Sequence, residues 1–141
     1  MINIFISYNS RDSHLAALLE NSLKRLSRLP VNVWYSENLP IGGNWVHEIE
    51  RRLYKADAFV MLVTENYLAS KNAVFEMGQI DQLRKQKQCP AIPIFQSPVE
   101  SERTPISNLL GFKLSSASSV NIEKEIDEYA NKILKSIRSY A

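Results

Sequence analysis

The sequence predicts an α/β fold, a flavodoxin-like three-layer sandwich in which a five-stranded parallel sheet of order 2-1-3-4-5 carries helices on both faces. Two observations predict it. Short apolar segments alternate along the chain with segments of helical periodicity, which is the pattern of a parallel sheet covered by crossover helices. The 141 residues accommodate five such apolar segments, the number that this strand order requires.

Five segments are predicted to be strands. The third is the most apolar and is expected at the centre of the sheet, whereas the second alternates with period two, as a strand near an edge does. The fourth contains Pro93, which has no N–H to donate to a ladder, so its neighbour on one side should be short. The five strands are residues 3–7, 31–35, 58–63, 91–95 and 112–114.

Four helices are predicted from apolar residues that recur on one stripe. The first should begin at Asp12 or Ser13, the second after Asn44 and the third after Ser70, because these residue types are good N-caps. Residues 64–69 are expected to form a loop, and residues 97–111 an irregular segment. The four stripes are Leu15, Leu19, Leu23 and Leu26; Val46, Ile49, Leu53 and Ala56; Ala73, Met77 and Ile80; and Ile122, Ile126, Tyr129, Ile133 and Ile137.

Glu76 lies on the third helix at the margin of the apolar stripe, between Ile80 and Leu83 on a helical projection. A glutamate on an inward face is rare unless it is paired or functional, although one at such a margin also reaches solvent or pairs with a nearby arginine. In the predicted fold, ligands bind at the carboxyl ends of strands one and three, near Ser7 and Thr64. Because the helix with Glu76 follows strand three, we favour the functional interpretation of this carboxylate.

The composition is that of one globular domain, which we expect to span residues 1–141. With 45% hydrophobic residues, 23% charged residues and a net charge of +2, the chain has no obvious basic face, so no direct nucleic-acid partner is expected. The single cysteine excludes an internal disulfide and suits a reducing compartment. No apolar run approaches a membrane span and no signal peptide is visible, so a cytoplasmic protein without a membrane partner is expected.

Several chemistries lack their residues in this sequence. There is no Gly-rich phosphate loop of the Walker or G-x-G-x-x-G type, and His14 and His47 stand alone, so no metal site is expected. Cys89 stands at a strand entrance and is interpreted as core rather than as a nucleophile. The two facing carboxylates of a classical glycosidase are missing, because Glu37 is a distant second to Glu76.

Three segments carry a family likeness. Strand one closes with Phe-Ile-Ser-Tyr8, which resembles box 1 of TIR (Toll and interleukin receptor) domains. The loop 36–45 is similar to the BB loop of that family, with the bacterial-type Gly-x-x-Trp ending at Trp45. The run from Ser70 to Glu76 resembles the family's Ser-x-x-x-x-x-Glu signature. The likeness covers nearly the whole chain, and its style is that of bacterial TIR proteins of the NADase type.

The resemblance implies cleavage of NAD at the nicotinamide–ribose bond, with Glu76 as the catalytic residue. NAD is then the substrate, no cofactor is expected, and the products are nicotinamide and ADP-ribose or a cyclised ADP-ribose. Nicotinamide leaves the cationic substrate as a neutral molecule, so one carboxylate that stabilises an oxocarbenium-like ribose suffices. The sequence departs from many members at Asn72, Ala73 and Val74, where they carry Trp and Cys, which affects the pocket rather than the glutamate.

Further residues are expected to support the substrate. Tyr8 and Trp45 are placed to stack on a ring of NAD, and Arg11 to meet its pyrophosphate. Ser7 and Ser36 are placed to hydrogen-bond the ligand. Structural alternatives stay open for each of them: packing for the aromatic residues, a solvated surface for the arginine, and strand-end hydrogen bonds for the serines.

The loop 36–44 is expected to join this domain to other TIR domains in homo-oligomers. Leu39 and Ile41 should be exposed on it, and Pro40 and Gly42 help to set its shape. The complete interpretation is an NAD-consuming effector or signal generator of bacterial anti-phage defence. Two alternatives remain, a TIR module that only binds other TIR domains and an enzyme similar to nucleoside deoxyribosyltransferases.

Overall fold

The computed structural model describes the chain in five stretches, and it gives only the backbone for three residues of one helix. The stretches are residues 1–35, 45–96, 99, 111–115 and 120–137, and the three residues are Trp45, Val46 and Ile49.

The described strands form one parallel sheet of order β2-β1-β3-β4-β5, which confirms the predicted topology. The third strand is central and buried along its whole length, and the second and fifth lie at the two edges, also as predicted. In this register Ser7, at the end of the first strand, lies beside Met61 of the third. The strands are β1 (Ile2–Ser7), β2 (Val31–Trp34), β3 (Ala58–Val63), β4 (Ala91–Gln96) and β5 (Phe112–Leu114).

Five α-helices lie in the described stretches, besides the 3₁₀ helix Ser10–Asp12, and four of them are the predicted ones. The remaining helix was not predicted: residues 64–69 were expected to form a loop, but they contain a four-residue helix. Thr64 is its N-cap, because the side-chain hydroxyl of Thr64 accepts a hydrogen bond from the N–H of Tyr67 at 3.1 Å. One turn is too short to show helical periodicity. The helices are α1 (Ser13–Leu26), α2 (Trp45–Lys55), α3 (Glu65–Leu68), α4 (Lys71–Lys87) and α5 (Ile122–Ser136).

The sheet separates two apolar clusters. Ile4 and Ile6 of β1 point into the first cluster, which α1 and α5 cover, whereas Phe5 points into the second. Since side chains alternate along a strand, Ser7 shares the face of Phe5. The second cluster is covered by α2, α3 and α4, which contribute Leu53, Tyr67 and Met77 among others. The alternation of β1 thus directs the hydroxyl of Ser7 towards the helix that carries Glu76.

Specific contacts define both ends of α4. At its start, the hydroxyl of Ser70 accepts a hydrogen bond from the N–H of Ala73 at 3.3 Å, as the sequence predicts for an N-cap. At its end, Gln88 adopts the left-handed conformation, with φ of 55°, that commonly closes a helix. The ammonium group of Lys87 donates to the carbonyl oxygens of Leu53 and Ala56 at the end of α2. The two caps set where α4 begins and ends, and Lys87 joins its last turn to the end of α2.

Pro93 lies in β4, and its carbonyl oxygen and ring face Gly111, the residue before β5. A Cβ atom built on Gly111 would stand 2.3 Å from the carbonyl oxygen of Pro93 and 2.6 Å from its ring Cγ. Only a glycine fits this approach, because real Cβ contacts are never so short. The neighbouring strand β5 is three residues long, which confirms the short neighbour expected for a proline-containing strand.

Candidate active site

Glu76 is buried at the carboxyl end of β1. The residue is only 1% exposed, so the position that a helical projection places at the margin of the apolar stripe is buried. The hydroxyl of Ser7, itself 0% exposed, donates a hydrogen bond to Oε2 of Glu76 at 3.2 Å. A buried carboxylate is costly unless it is hydrogen-bonded, and Ser7 supplies such a bond.

Tyr67 of α3 extends this contact. Its hydroxyl lies 2.9 Å from Oγ of Ser7, and the whole residue is 0% exposed. The two residues are 60 positions apart in the chain, and sequence reasoning missed their contact. The signal that was present is local: Thr64 stands three residues before Tyr67, in the position of an N-cap for a short helix. Three polar side chains from β1, α3 and α4 therefore meet at one point.

The phenol of Tyr67 is held in its neutral form. Burial raises its pKa, the hydrogen bond with Ser7 lowers it, and the nearby negative charge of Glu76 raises it, with a large increase as the result. At any physiological pH the hydroxyl of Tyr67 therefore keeps its proton and remains a donor.

A second set of hydrogen bonds joins the loops that follow β1 and β3. Asp12 stands at the N-cap position of α1, but its carboxylate makes no capping bond there. Instead, its Oδ2 accepts from the hydroxyl of Thr64 at 2.6 Å and its Oδ1 accepts from the amide of Asn66 at 3.2 Å. Thr64 in turn caps α3, so Asp12 fixes the helix that carries Tyr67.

Tyr8, predicted as a stacking residue, packs on the other face of the sheet. It is half-buried, and its ring stands edge-on to that of Tyr35, with centroids 5.1 Å apart and planes at 80°. The hydroxyl of Tyr35 donates to Glu20 of α1, and burial raises its pKa. The structure therefore does not bring the ring of Tyr8 together with Ser7 and Glu76.

Arg11, predicted to meet a pyrophosphate, is exposed in the 3₁₀ turn Ser10–Asp12. Its side chain lines a cavity of about 100 Å³ together with Asp12, Gln96 and Ile122. This cavity lies at the carboxyl end of the sheet, between the first turn of α1 and the start of α5. Arg11 thus remains at the edge of the sheet where the fold is expected to bind ligands.

The other predicted site residues lie outside the described part of the chain. Ser36 belongs to this group, as do the four residues of the predicted self-association loop, Leu39, Pro40, Ile41 and Gly42. Trp45 begins α2, but only its backbone is described.

Among the described residues there is no group of three His, Cys, Asp or Glu side chains suited to a metal ion. No helix within the described stretches is long and apolar enough to cross a membrane.

The fold and the site together define a class of protein: a flavodoxin-like α/β domain with a buried carboxylate where β1 ends. The chain belongs to the TIR domain family, since the family model described as TIR domain matches residues 4–134. The comparison with curated proteins gave no match.

Among solved structures, the chain is similar to the TIR domains in the structure of the activated Roq1 resistosome directly recognizing the pathogen effector XopQ. The TM-score is 0.72 at 14% sequence identity, and the alignment covers 94% of this chain and 98% of that chain. At this identity the likeness supports the fold, which agrees with the family match.

Proposed function

We propose that this TIR domain cleaves NAD at the bond between nicotinamide and ribose, with Glu76 as the catalytic carboxylate. The burial of Glu76 at the carboxyl end of β1 carries this proposal, since the side chain is 1% exposed yet ionisable and hydrogen-bonded. Charged groups are rarely placed in the interior of a small domain unless they are paired or have a task. NAD-cleaving members of the TIR family use a glutamate at the matching position of their signature.

The chemistry fits a single carboxylate. The bond to nicotinamide breaks with its electron pair moving to the ring nitrogen, so nicotinamide leaves as a neutral molecule without a proton. The positive charge stays on the ribose, which becomes oxocarbenium-like, and Glu76 stabilises it electrostatically. Water then attacks the ribose and loses a proton, which gives ADP-ribose, or the adenine ring attacks and gives a cyclised product. Away from bulk water, the attraction between carboxylate and ribose is stronger than it is in solution.

In this proposal the remaining residues bind and orient the dinucleotide. Arg11 is the described cation suited to the pyrophosphate, because it is exposed at the carboxyl end of the sheet. Trp45, at the start of α2, and Ser36, in the segment predicted as the BB loop, contribute further contacts. Tyr8 is not assigned a stacking contact with the substrate, since its ring packs against that of Tyr35.

We further propose that the domain acts in bacterial defence and assembles with copies of itself through the loop 36–44. The resemblance to bacterial TIR proteins supports the first part. For the second, Val74 and Phe75 add support, because these apolar side chains of α4 are 44% and 38% exposed directly before Glu76. A second copy that packs near them would exclude water from the site.

An assay of NAD loss tests the proposal. The purified domain is incubated with NAD at protein concentrations from nanomolar to high micromolar, and nicotinamide, ADP-ribose and cyclised ADP-ribose are separated by chromatography and identified by mass. We expect nicotinamide and one ribose product in equal amounts, with none from Glu76→Gln. If NAD persists at every protein concentration, the domain is a TIR module that binds other TIR domains without catalysis.

A further inference from the structure

We infer that Tyr67 is a positioning residue of the active site, which acts on Glu76 through the hydroxyl of Ser7. The three side chains form one buried chain of hydrogen bonds, with 2.9 Å between Tyr67 and Ser7 and 3.2 Å between Ser7 and Glu76. This inference assigns Ser7 to the carboxylate rather than to the ligand. Its consequence for catalysis rests on the proposed function, whereas the hydrogen-bond chain itself does not.

The donor and acceptor in each of the two hydrogen bonds follow from the hydroxyl protons that are present. An ionised carboxylate only accepts hydrogen bonds, so the single hydroxyl proton of Ser7 is used on Glu76. The oxygen of Ser7 is then left as an acceptor, and the contact with Tyr67 requires the phenol to donate. Because burial and the charge of Glu76 keep the phenol protonated, this donation persists across the physiological pH range.

The position of the phenol is fixed independently of Glu76. Tyr67 sits on a one-turn helix that Thr64 caps, and the hydroxyl of Thr64 donates to Asp12 at 2.6 Å. Asp12 follows β1 by five residues, so both ends of this arrangement are tied to the strand that carries Ser7. The short helix α3 therefore holds the phenol oxygen of Tyr67 beside Ser7.

The arrangement affects the carboxylate in two ways. A hydroxyl that receives a hydrogen bond becomes a better donor, because hydrogen bonds in a chain polarise one another. Donation to a carboxylate favours its charged form, and it also restricts rotation of the side chain. Loss of the phenol oxygen therefore weakens the donation from Ser7 and loosens the orientation that catalysis needs.

The test uses two variants and two matched controls in the full chain. Tyr67→Phe removes one oxygen and Ser7→Ala removes the next. Tyr35→Phe is the first control, since Tyr35 is also a buried tyrosine that donates to a carboxylate, but on the other face of the sheet. Ser22→Ala is the second, because Ser22 is 6% exposed and donates to Asp127 between α1 and α5.

The first readout does not need activity. The carboxyl carbon of Glu76 is followed by NMR as a function of pH in selectively labelled protein, with Glu76→Gln used for assignment. We expect the titration midpoint to move to higher pH in Tyr67→Phe and Ser7→Ala and to stay in place in both controls. A midpoint that does not move in the variants overturns the inference, whether or not the protein cleaves NAD. If one variant fails to fold, the other decides.

The second readout is kinetic. A small misplacement of a catalytic group can cost about 100-fold in rate, so we expect kcat for NAD to fall by up to about 100-fold in Tyr67→Phe with a smaller change in KM. The acid limb of the pH–rate profile should move to higher pH. Equal losses in Tyr67→Phe and Tyr35→Phe would show a merely structural role. A wild-type protein without NAD cleavage would overturn the proposed function alone, because the titration still decides the hydrogen-bond chain.

Discussion

Among the described residues, two buried serines donate to carboxylates, on opposite faces of the sheet. Ser22 of α1 donates to Asp127 of α5 at 2.5 Å, and Arg25 donates to the same oxygen at 2.6 Å. The side chain of Asp127 is 39% exposed, so water and a cation share its charge. Glu76 lies opposite, on the face of α2 and α4, and is 1% exposed beside the neutral donor Ser7.

The two pairs differ in burial and in partners, and this difference is what the proposed function relies on. The hydrogen bonds from Ser22 and Arg25 lower the pKa of Asp127, so its charged form is the stable one, and the group joins two helices at little cost. Glu76 is instead withdrawn from water, which is unfavourable for a charged carboxylate unless its partners compensate. A domain that keeps such a group in its interior commonly does so because its chemistry requires it.

The largest effect should come from removing the carboxylate charge of Glu76. We expect Glu76→Gln to lower NAD cleavage by at least about 100- to 1000-fold, since it removes the group proposed to stabilise the developing cation. The midpoint of thermal unfolding should be equal or higher, because a neutral amide is cheaper to bury. Rates of nicotinamide release and thermal unfolding are measured side by side.

The matched control for that variant is Asp127→Asn on the other face. It removes a charge that also accepts a hydrogen bond from a buried serine, but lies outside the proposed site. Its NAD cleavage should stay near that of the wild type. Most of the activity surviving in Glu76→Gln would make Glu76 structural, and the contrast between the two faces would disappear.

A smaller effect should come from the loop before α2. We expect specific activity to rise with protein concentration, and Leu39→Asp or Ile41→Asp to lower it by roughly tenfold, since a charge in an apolar contact costs at least about 1.4 kcal/mol. The control is Val120→Asp, because Val120 is an apolar residue that is 96% exposed outside this loop. Activity and sedimentation are measured over the same concentrations. A flat specific activity with a monomer throughout would refute assembly as the activator.

The two tryptophans near α2 should differ more modestly. A ring that stacks on the substrate contributes about 0.5–1.5 kcal/mol, so Trp45→Ala should lower kcat/KM by about two- to tenfold at matched folding. Trp34 packs half-buried against the second cluster, and Trp34→Ala should lower the free energy of unfolding instead. Kinetics and urea unfolding separate the effects. Equal activity losses that follow stability would assign both rings to packing.

The smallest effect concerns Asp127 itself. Its pKa is lowered in the folded state, so its contribution to stability is present above the ordinary carboxyl pKa and is lost as the pH falls through the lowered value. Because the side chain is 39% exposed, we expect only about 0.2–1 kcal/mol between wild type and Asp127→Asn at pH 7. The difference should shrink with salt and vanish in acid. Urea unfolding at several pH values measures it, and a difference that persists in strong acid would contradict this account.

The sheet could be predicted from sequence because its signals are local. Each strand is a short apolar run, and alternating strands and helices leave few topologies, so the order and the central position of β3 followed. The identity of the carboxylate was also accessible, since Glu76 interrupts an apolar stripe. The complete burial of Glu76 could not be predicted, because the projection of one helix does not include the residues that cover it.

The partners of Glu76 could not be predicted, for a physical reason. The bond between Ser7 and Tyr67 joins residues 60 positions apart, and periodicity does not report which polar side chains meet across a core. Tyr67 was hidden further because α3 has four residues, too few for a helical pattern. Asp12 looked like a cap for the next helix, but its carboxylate is used by Thr64 and Asn66.

The close approach of Gly111 to Pro93 has a consequence for association between unfolding chains. The edge of β4 that β5 covers carries a proline at this point, and the ring faces Gly111. When the three-residue strand β5 detaches, a foreign strand that docks there meets a position without an N–H and with a bulky ring. Only a strand with a glycine at the matching register fits closely. The edge is thereby protected against intermolecular sheet growth at the moment when it is exposed.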